Sequence, residues 1–98
     1  MSDDSVEATL IRPDGEIDQL SLPADDEARL RQLQDLVGGY IEAVALLGGW
    51  YMVINENGKD GPHTINKTAT AIAHEAESIA LTNYIAGVAV IVSGEAIQ

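Results

Sequence analysis

The chain contains no cysteine. That excludes disulfide staples, thiolate metal sites, iron–sulfur clusters and a cysteine nucleophile. Basic residues are scarce: five Lys and Arg stand against 16 Asp and Glu, for a formal net charge of −11. Nucleic-acid backbones and anionic membrane surfaces both demand clustered Lys and Arg, so direct nucleic-acid binding and membrane binding are not expected. No apolar run approaches the ~18 residues of a membrane-spanning helix. The opening Met1-Ser2-Asp3-Asp4-Ser5 is acidic and polar, the opposite of a secretory signal peptide, and the expected location is the cytoplasm. Phenylalanine is absent, and tryptophan occurs once.

What is present is the material of one small domain. The 98 residues are 46% hydrophobic and 21% charged, ordinary for a soluble globular chain. A chain of this size buries only about 60–65% of its unfolded surface. That allows one core but not a core plus a deep, walled active site. The expectation is a single domain over residues 1–98, with residues 1–4 as a disordered acidic terminus. The charge is uneven. Residues 1–42 hold eleven acids and three bases, net −8, and residues 43–98 hold five acids and two bases, net −3. Three readings compete: adaptation to a salt-rich cytoplasm, where screening shortens to about 3 Å at 1 M salt; a polyanionic decoy for a DNA-binding protein; and ordinary solubility.

Val6 to Ile11 reads as a strand with Val6, Ala8 and Leu10 on one face. Pro13-Asp14-Gly15 is a turn, and Glu16 to Leu22 returns as a second strand. Pro23 to Glu27 opens a helix with acids in its first turn. Leu30, Leu33, Leu36 and Val37 follow at helical spacing, and Gly38-Gly39 closes it. Tyr40 to Leu47 is a nearly continuous apolar run with Glu42 as its one charge. Such a run points to a central strand covered on both faces, or to an interface. Gly48-Gly49 links it to Trp50–Ile54, the next strand. A second helix begins near Asn66 and runs to Glu77 or Ser78, with Thr64 and Asn66 as candidate N-caps. Its stripe of Ala69, Ile72, Ala73 and Ala76 is shallow and suits close packing on a sheet. Tyr84 to Val92 is the last strand, interrupted by Gly87. The fold class is α+β in the order β-β-α-β-β-α-β, with two helices on one face of a mostly antiparallel sheet of about five strands.

Two stretches carry a resemblance: Leu36-Val37-Gly38-Gly39-Tyr40-Ile41-Glu42, then Asn55-Glu56-Asn57-Gly58-Lys59. With the later Pro62–Thr70 and Tyr84–Val90 stretches, they resemble a family of small uncharacterised domains from phages, plasmids, bacteria and haloarchaea. That family reads LVGGYIE, then NEEGK, then a Pro and Asn loop entering a helix, then a strand around a Gly. The match runs in order over about residues 30–92, with Asn57 where the family has Glu. The resemblance implies a shared α+β fold and no activity. Its distribution implies an accessory role in a mobile element.

Candidate sites follow from charge and loop chemistry. Glu42 is an acid in an apolar strand, where burial would disfavour its charged form unless a partner compensates. Lys59, Lys67 or a ligand is the candidate partner. The polar Asn55–Asp60 loop and the Pro62–Asn66 entry to the second helix are the expected walls of any ligand site. Its candidate residues are Glu42, Asn55, Glu56, Lys59, His63 and Asn66. The loop lacks the alternating oxygen ligands of a calcium site, and His63 and His74 match no metal-ligand spacing. No metal, no cofactor and no catalytic residue is expected, and the chain reads as not an enzyme. Trp50 and Tyr51 point to opposite faces of their strand. Tyr40 and Tyr51 are the expected interface residues. The leading functional expectation is an accessory protein-interaction domain with an unidentified protein partner and a tendency to homodimerise. The alternative is a small-molecule-binding or sequestering protein using the Asn55–Asn66 loop.

Overall fold

The computed structural model describes residues 5–60 and 64–94. The expected N-terminal tail at residues 1–4 therefore lies outside the described residues. Strand β1 (Val6–Ile11) and strand β2 (Ile17–Leu22) form an antiparallel hairpin registered from Val6↔Leu22 to Ile11↔Ile17. Gly15 donates to the Arg12 carbonyl at 2.9 Å, and Arg12 donates to that of Glu16 at 2.9 Å, closing the expected turn.

Helix α1 (Asp26–Val37) starts at Asp25, whose carboxylate accepts from the Ala28 N–H at 2.9 Å. It ends where Gly38 adopts a left-handed conformation and donates to Gln34 O. Leu33 and Val37 are buried as the spacing predicts, but Leu30 is largely exposed. Arg29 is buried instead. Its guanidinium donates to the carbonyls of Pro23 and Ala24 at 3.1 and 2.8 Å and to the Asp26 carboxylate at 2.5 Å. A buried cation is tolerable only with such partners, and here they tie the first turn of α1 to the chain that enters it.

Strands β3 (Ile41–Ala45) and β4 (Trp50–Asn55) are antiparallel partners linked through a short 3-10 turn at Leu47–Gly49. Helix α2 (Lys67–Glu75) follows, capped by Asn66. Strand β5 (Ala89–Ser93) pairs antiparallel with both β4 and β1. The five-stranded sheet runs in the order β2-β1-β5-β4-β3.

The fold class and element order are as expected. Two placements differ. β3 is an edge strand, not a central one, and β5, shorter than its apolar sequence suggested, is the middle of the sheet. The helices also lie on opposite faces rather than one. Ala8, Leu10, Val53, Val90 and Val92 pack with Leu33 and Val37 of α1. Ile11, Met52 and Ala89 pack with Ala69 and Ala73 of α2. Successive strand residues alternate between these two clusters, as a pleated strand requires. The reason is burial. β4 and β5 are apolar on both faces, and two helices on one side would leave Met52, Ala89 and Ile91 in water.

Candidate functional site

The two stretches that carry the family resemblance meet in space. Asn55, the last residue of β4, donates through its side-chain amide to Val37 O at 3.2 Å and accepts from Asn57 N–H at 2.7 Å. Glu56 N–H donates to Tyr40 O at 2.9 Å. Gly39 faces the Asn55 amide so closely that a Cβ there would sit 2.9 Å from Nδ2. Gly58 lies against the backbone, where a Cβ would sit 2.9 Å from Ala86 O. At this second position the obstacle is backbone, so a side chain has no room. Glycines here serve close approach, joining the end of α1, the β4 loop and the segment before β5.

Around this junction is a cavity of about 240 Å³ on the α2 face of the sheet edge. Val44 and Ile54 contribute from the hairpin, Ile79 and Ile85 from the segment after α2. Polar groups occupy the rest: Glu42, Glu56, Lys59, Asp60, Asn83 and Tyr84. Lys59 donates to the Asn83 side-chain oxygen, and its ammonium lies 4.7 Å from the Tyr84 ring centroid. Cation–π geometry of this kind is attractive within about 6 Å. Asn83 Oδ1 also accepts from Tyr84 N–H at 2.8 Å. His74 donates from Nε2 to Asn83 O at 2.9 Å, holding that segment against α2. The pocket thus contains three carboxylates and one ammonium that is already engaged.

Four of the six expected ligand residues come together here: Glu42, Asn55, Glu56 and Lys59. Glu42 is exposed at the rim rather than buried in a central strand, because β3 is the sheet edge. Asn55 lines the cavity, yet its amide is committed to Val37 and Asn57. Asn66 is not a wall of the pocket. It is fully buried, donates to Ile11 O and Gly87 O at 2.9 Å each, and accepts from Ala69 N–H at 3.0 Å. His63 lies outside the described residues. Asn83 and Tyr84 are pocket residues that sequence reasoning missed. They meet Lys59 from 24 residues away, and no local pattern announces such a contact. Among the described residues, no group of three or more His, Asp or Glu side chains is gathered as a metal site would require.

The expected interface pair separates. Tyr40 is 71% exposed and sits beside the β4 end of the hairpin, whereas Tyr51 lies at the other end opposite Ala45, packed against the α1-side core. The more exposed neighbour in the Trp50-Tyr51 pair is Trp50, at 49%. It forms one wall of an apolar groove of about 280 Å³ with Leu46, Leu47, Ile72, Ala76 and Ile91, and Glu75 lies at its margin.

Residues 6–97 match a family model described as "Domain of unknown function (DUF3846)". No curated protein matches the chain, and no solved structure matches it.

Proposed function

Because the chain belongs to the DUF3846 family, whose description carries no activity, we propose from its own surface that it is a non-enzymatic accessory domain that binds a partner protein. The Trp50 groove is the observation that supports this reading. In a chain of net charge −11, water-facing positions are expected to be charged or polar. Leu47, at 68% exposed, and Trp50 are instead left side by side in a groove that is almost wholly apolar. Tryptophan concentrates binding energy when a partner desolvates it. The fitting partner segment carries an aliphatic or aromatic anchor flanked by Lys or Arg, which the acidic surface attracts. The resemblance to phage and plasmid domains supports a mobile-element setting, and the charge supports a salt-rich cytoplasm.

Trp50 is the chain's single tryptophan, so its emission reports on the groove directly. Synthetic peptides with a Leu or Phe anchor between basic residues are expected to shift that emission to the blue. Leu47→Ser should weaken their binding by about tenfold, the loss of one buried apolar anchor. Unchanged emission with every anchored peptide would remove the groove from consideration.

A second reading is favoured by one observation, the convergence of Glu42, Glu56 and Lys59 on the 240 Å³ cavity. In this reading the domain retains a small polar molecule there, held by its carboxylates and the ring of Tyr84.

A further inference from the structure

We propose that the exposed edge of β3 is a self-pairing site, where a second copy of this chain adds its own β3 antiparallel to form one continuous sheet. β3 is hydrogen-bonded to β4 on one side and ends the sheet on the other. Glu56 N–H donates to Tyr40 O, and Leu46 N–H donates to Trp50 O at 2.8 Å. The even-numbered residues of this strand therefore direct their backbone groups to β4. By the alternation of an antiparallel ladder, Ile41, Ala43 and Ala45 direct theirs outward. The Ser78 hydroxyl, which donates to Ala45 O, marks that outward direction independently.

One register uses all of these groups. With a two-fold axis between the two Ala43 residues, Ala43 faces the partner's Ala43 and Ile41 faces the partner's Ala45. Each such pair exchanges both its hydrogen bonds. Ala45 O has a second lone pair for this bond beside the one Ser78 uses. Glu42 then falls opposite the partner's Val44, so the strand's one charge meets an apolar neighbour rather than its own copy. Sliding the partner by two residues, so that the two Glu42 residues are opposed, would set like charges face to face. The same register places the partner's Tyr40 opposite Leu46, covering the most exposed aromatic in the described chain.

The other edge does not offer this. β2 is bordered by Glu16 and Asp18 at one end and by Asp25, Asp26 and Glu27 at the other. Antiparallel pairing of two such strands would bring acid onto acid at both ends. Charged borders of this sort are a common guard on free strands. β3 has no such border, and its small exposed residues Ala43 and Ala45 allow close approach.

The pairing borders the Trp50 groove, because Leu46, which meets the partner's Tyr40 in this register, is one of the groove's walls. The test is sedimentation equilibrium of the 98-residue chain in molar potassium chloride, which screens the repulsion between two copies. The expected species has twice the 10.4 kDa chain mass. Compared at about 0.15 M potassium chloride, where facing charges are less screened, Ala43→Lys and Ala43→Glu are each expected to weaken self-association about threefold, since each sets like charges directly opposite. An equimolar mixture of the two should restore it. A general charge effect gives a different pattern: Ala43→Lys lowers the net negative charge and would tighten association. A chain that stays at 10.4 kDa up to millimolar concentration overturns the proposal. So does a dimer indifferent to both substitutions. Peptide binding at the groove is read separately, from Trp50 emission at micromolar concentration with Ala43→Lys, so that the loss of pairing and the loss of peptide binding are distinguished.

Discussion

Asn66 and Lys59 show how differently two polar residues of one predicted site can be used. Asn66 joins three elements through one amide: the end of β1, the Gly87 turn and the first turn of α2. Replacing it with Ala strands two buried carbonyls and a helix N–H. The expected loss is about 2–4 kcal/mol of stability, read as a lowered urea midpoint. Lys59 is exposed and bonds only surface groups, so Lys59→Ala should leave that midpoint nearly unchanged. If the cavity holds a small molecule, native mass spectrometry should show it on the wild-type chain. Lys59→Ala should then abolish the thermal shift that the same molecule produces. A metabolite panel giving neither bound mass nor shift would count against the small-molecule reading. The sequence named both residues because Asn and Lys in loops are the usual carriers of binding. It could not separate them, because the partners of Asn66 lie 55 and 21 residues away.

At the scale of the element, local chemistry was a good guide where termini are involved. Both helices start and stop within a few residues of their expected ends, because caps are local hydrogen bonds. Asp25 illustrates the point: its side chain satisfies one otherwise unpaired N–H of α1. Asp25→Ala should destabilise the chain by about 1 kcal/mol, while Asp25→Asn, which can still accept, should recover most of that loss. Equal unfolding midpoints for all three chains would show that the cap contributes nothing. Strands were less legible. The apolar run around Ala43 suggested a central strand, yet β3 is an edge. Its alanines are small enough to be left exposed at little hydrophobic cost. The Tyr84–Val92 run was read as one long strand, but its first half is irregular. Backbone groups there bond to Thr64 and to the Asn66 and Thr70 region instead of to a neighbouring strand.

For the whole molecule, the dominant quantity is the charge of −11. Among the described residues only three side-chain ion pairs form, all from the arginines, so most of the described acids are in no ion pair. Self-repulsion of that kind opposes the compact state and is relieved by salt. The thermal midpoint is expected to rise steeply from dilute buffer to molar potassium chloride. A midpoint already high and flat across that range would remove the halophilic reading and direct attention to the acids of residues 1–42 as a mimic. The sequence alone determined the α+β class, the order of elements, the glycine stop of α1, Asn66 as one of two candidate caps for α2, and the acidic balance. These rest on periodicity, capping chemistry and composition, which are local or additive. It also named four of the residues that line the loop cavity, Glu42, Asn55, Glu56 and Lys59, because turn-forming polar residues are recognisable where they stand. Only the tertiary structure decided which strand closes the sheet, that the helices cover opposite faces, that Trp50 rather than Tyr51 is the more exposed, and that Asn83 and Tyr84 hold Lys59. Each of those depends on pairing between distant segments, where the burial of both faces of β4 and β5 outweighs any preference written into a single strand.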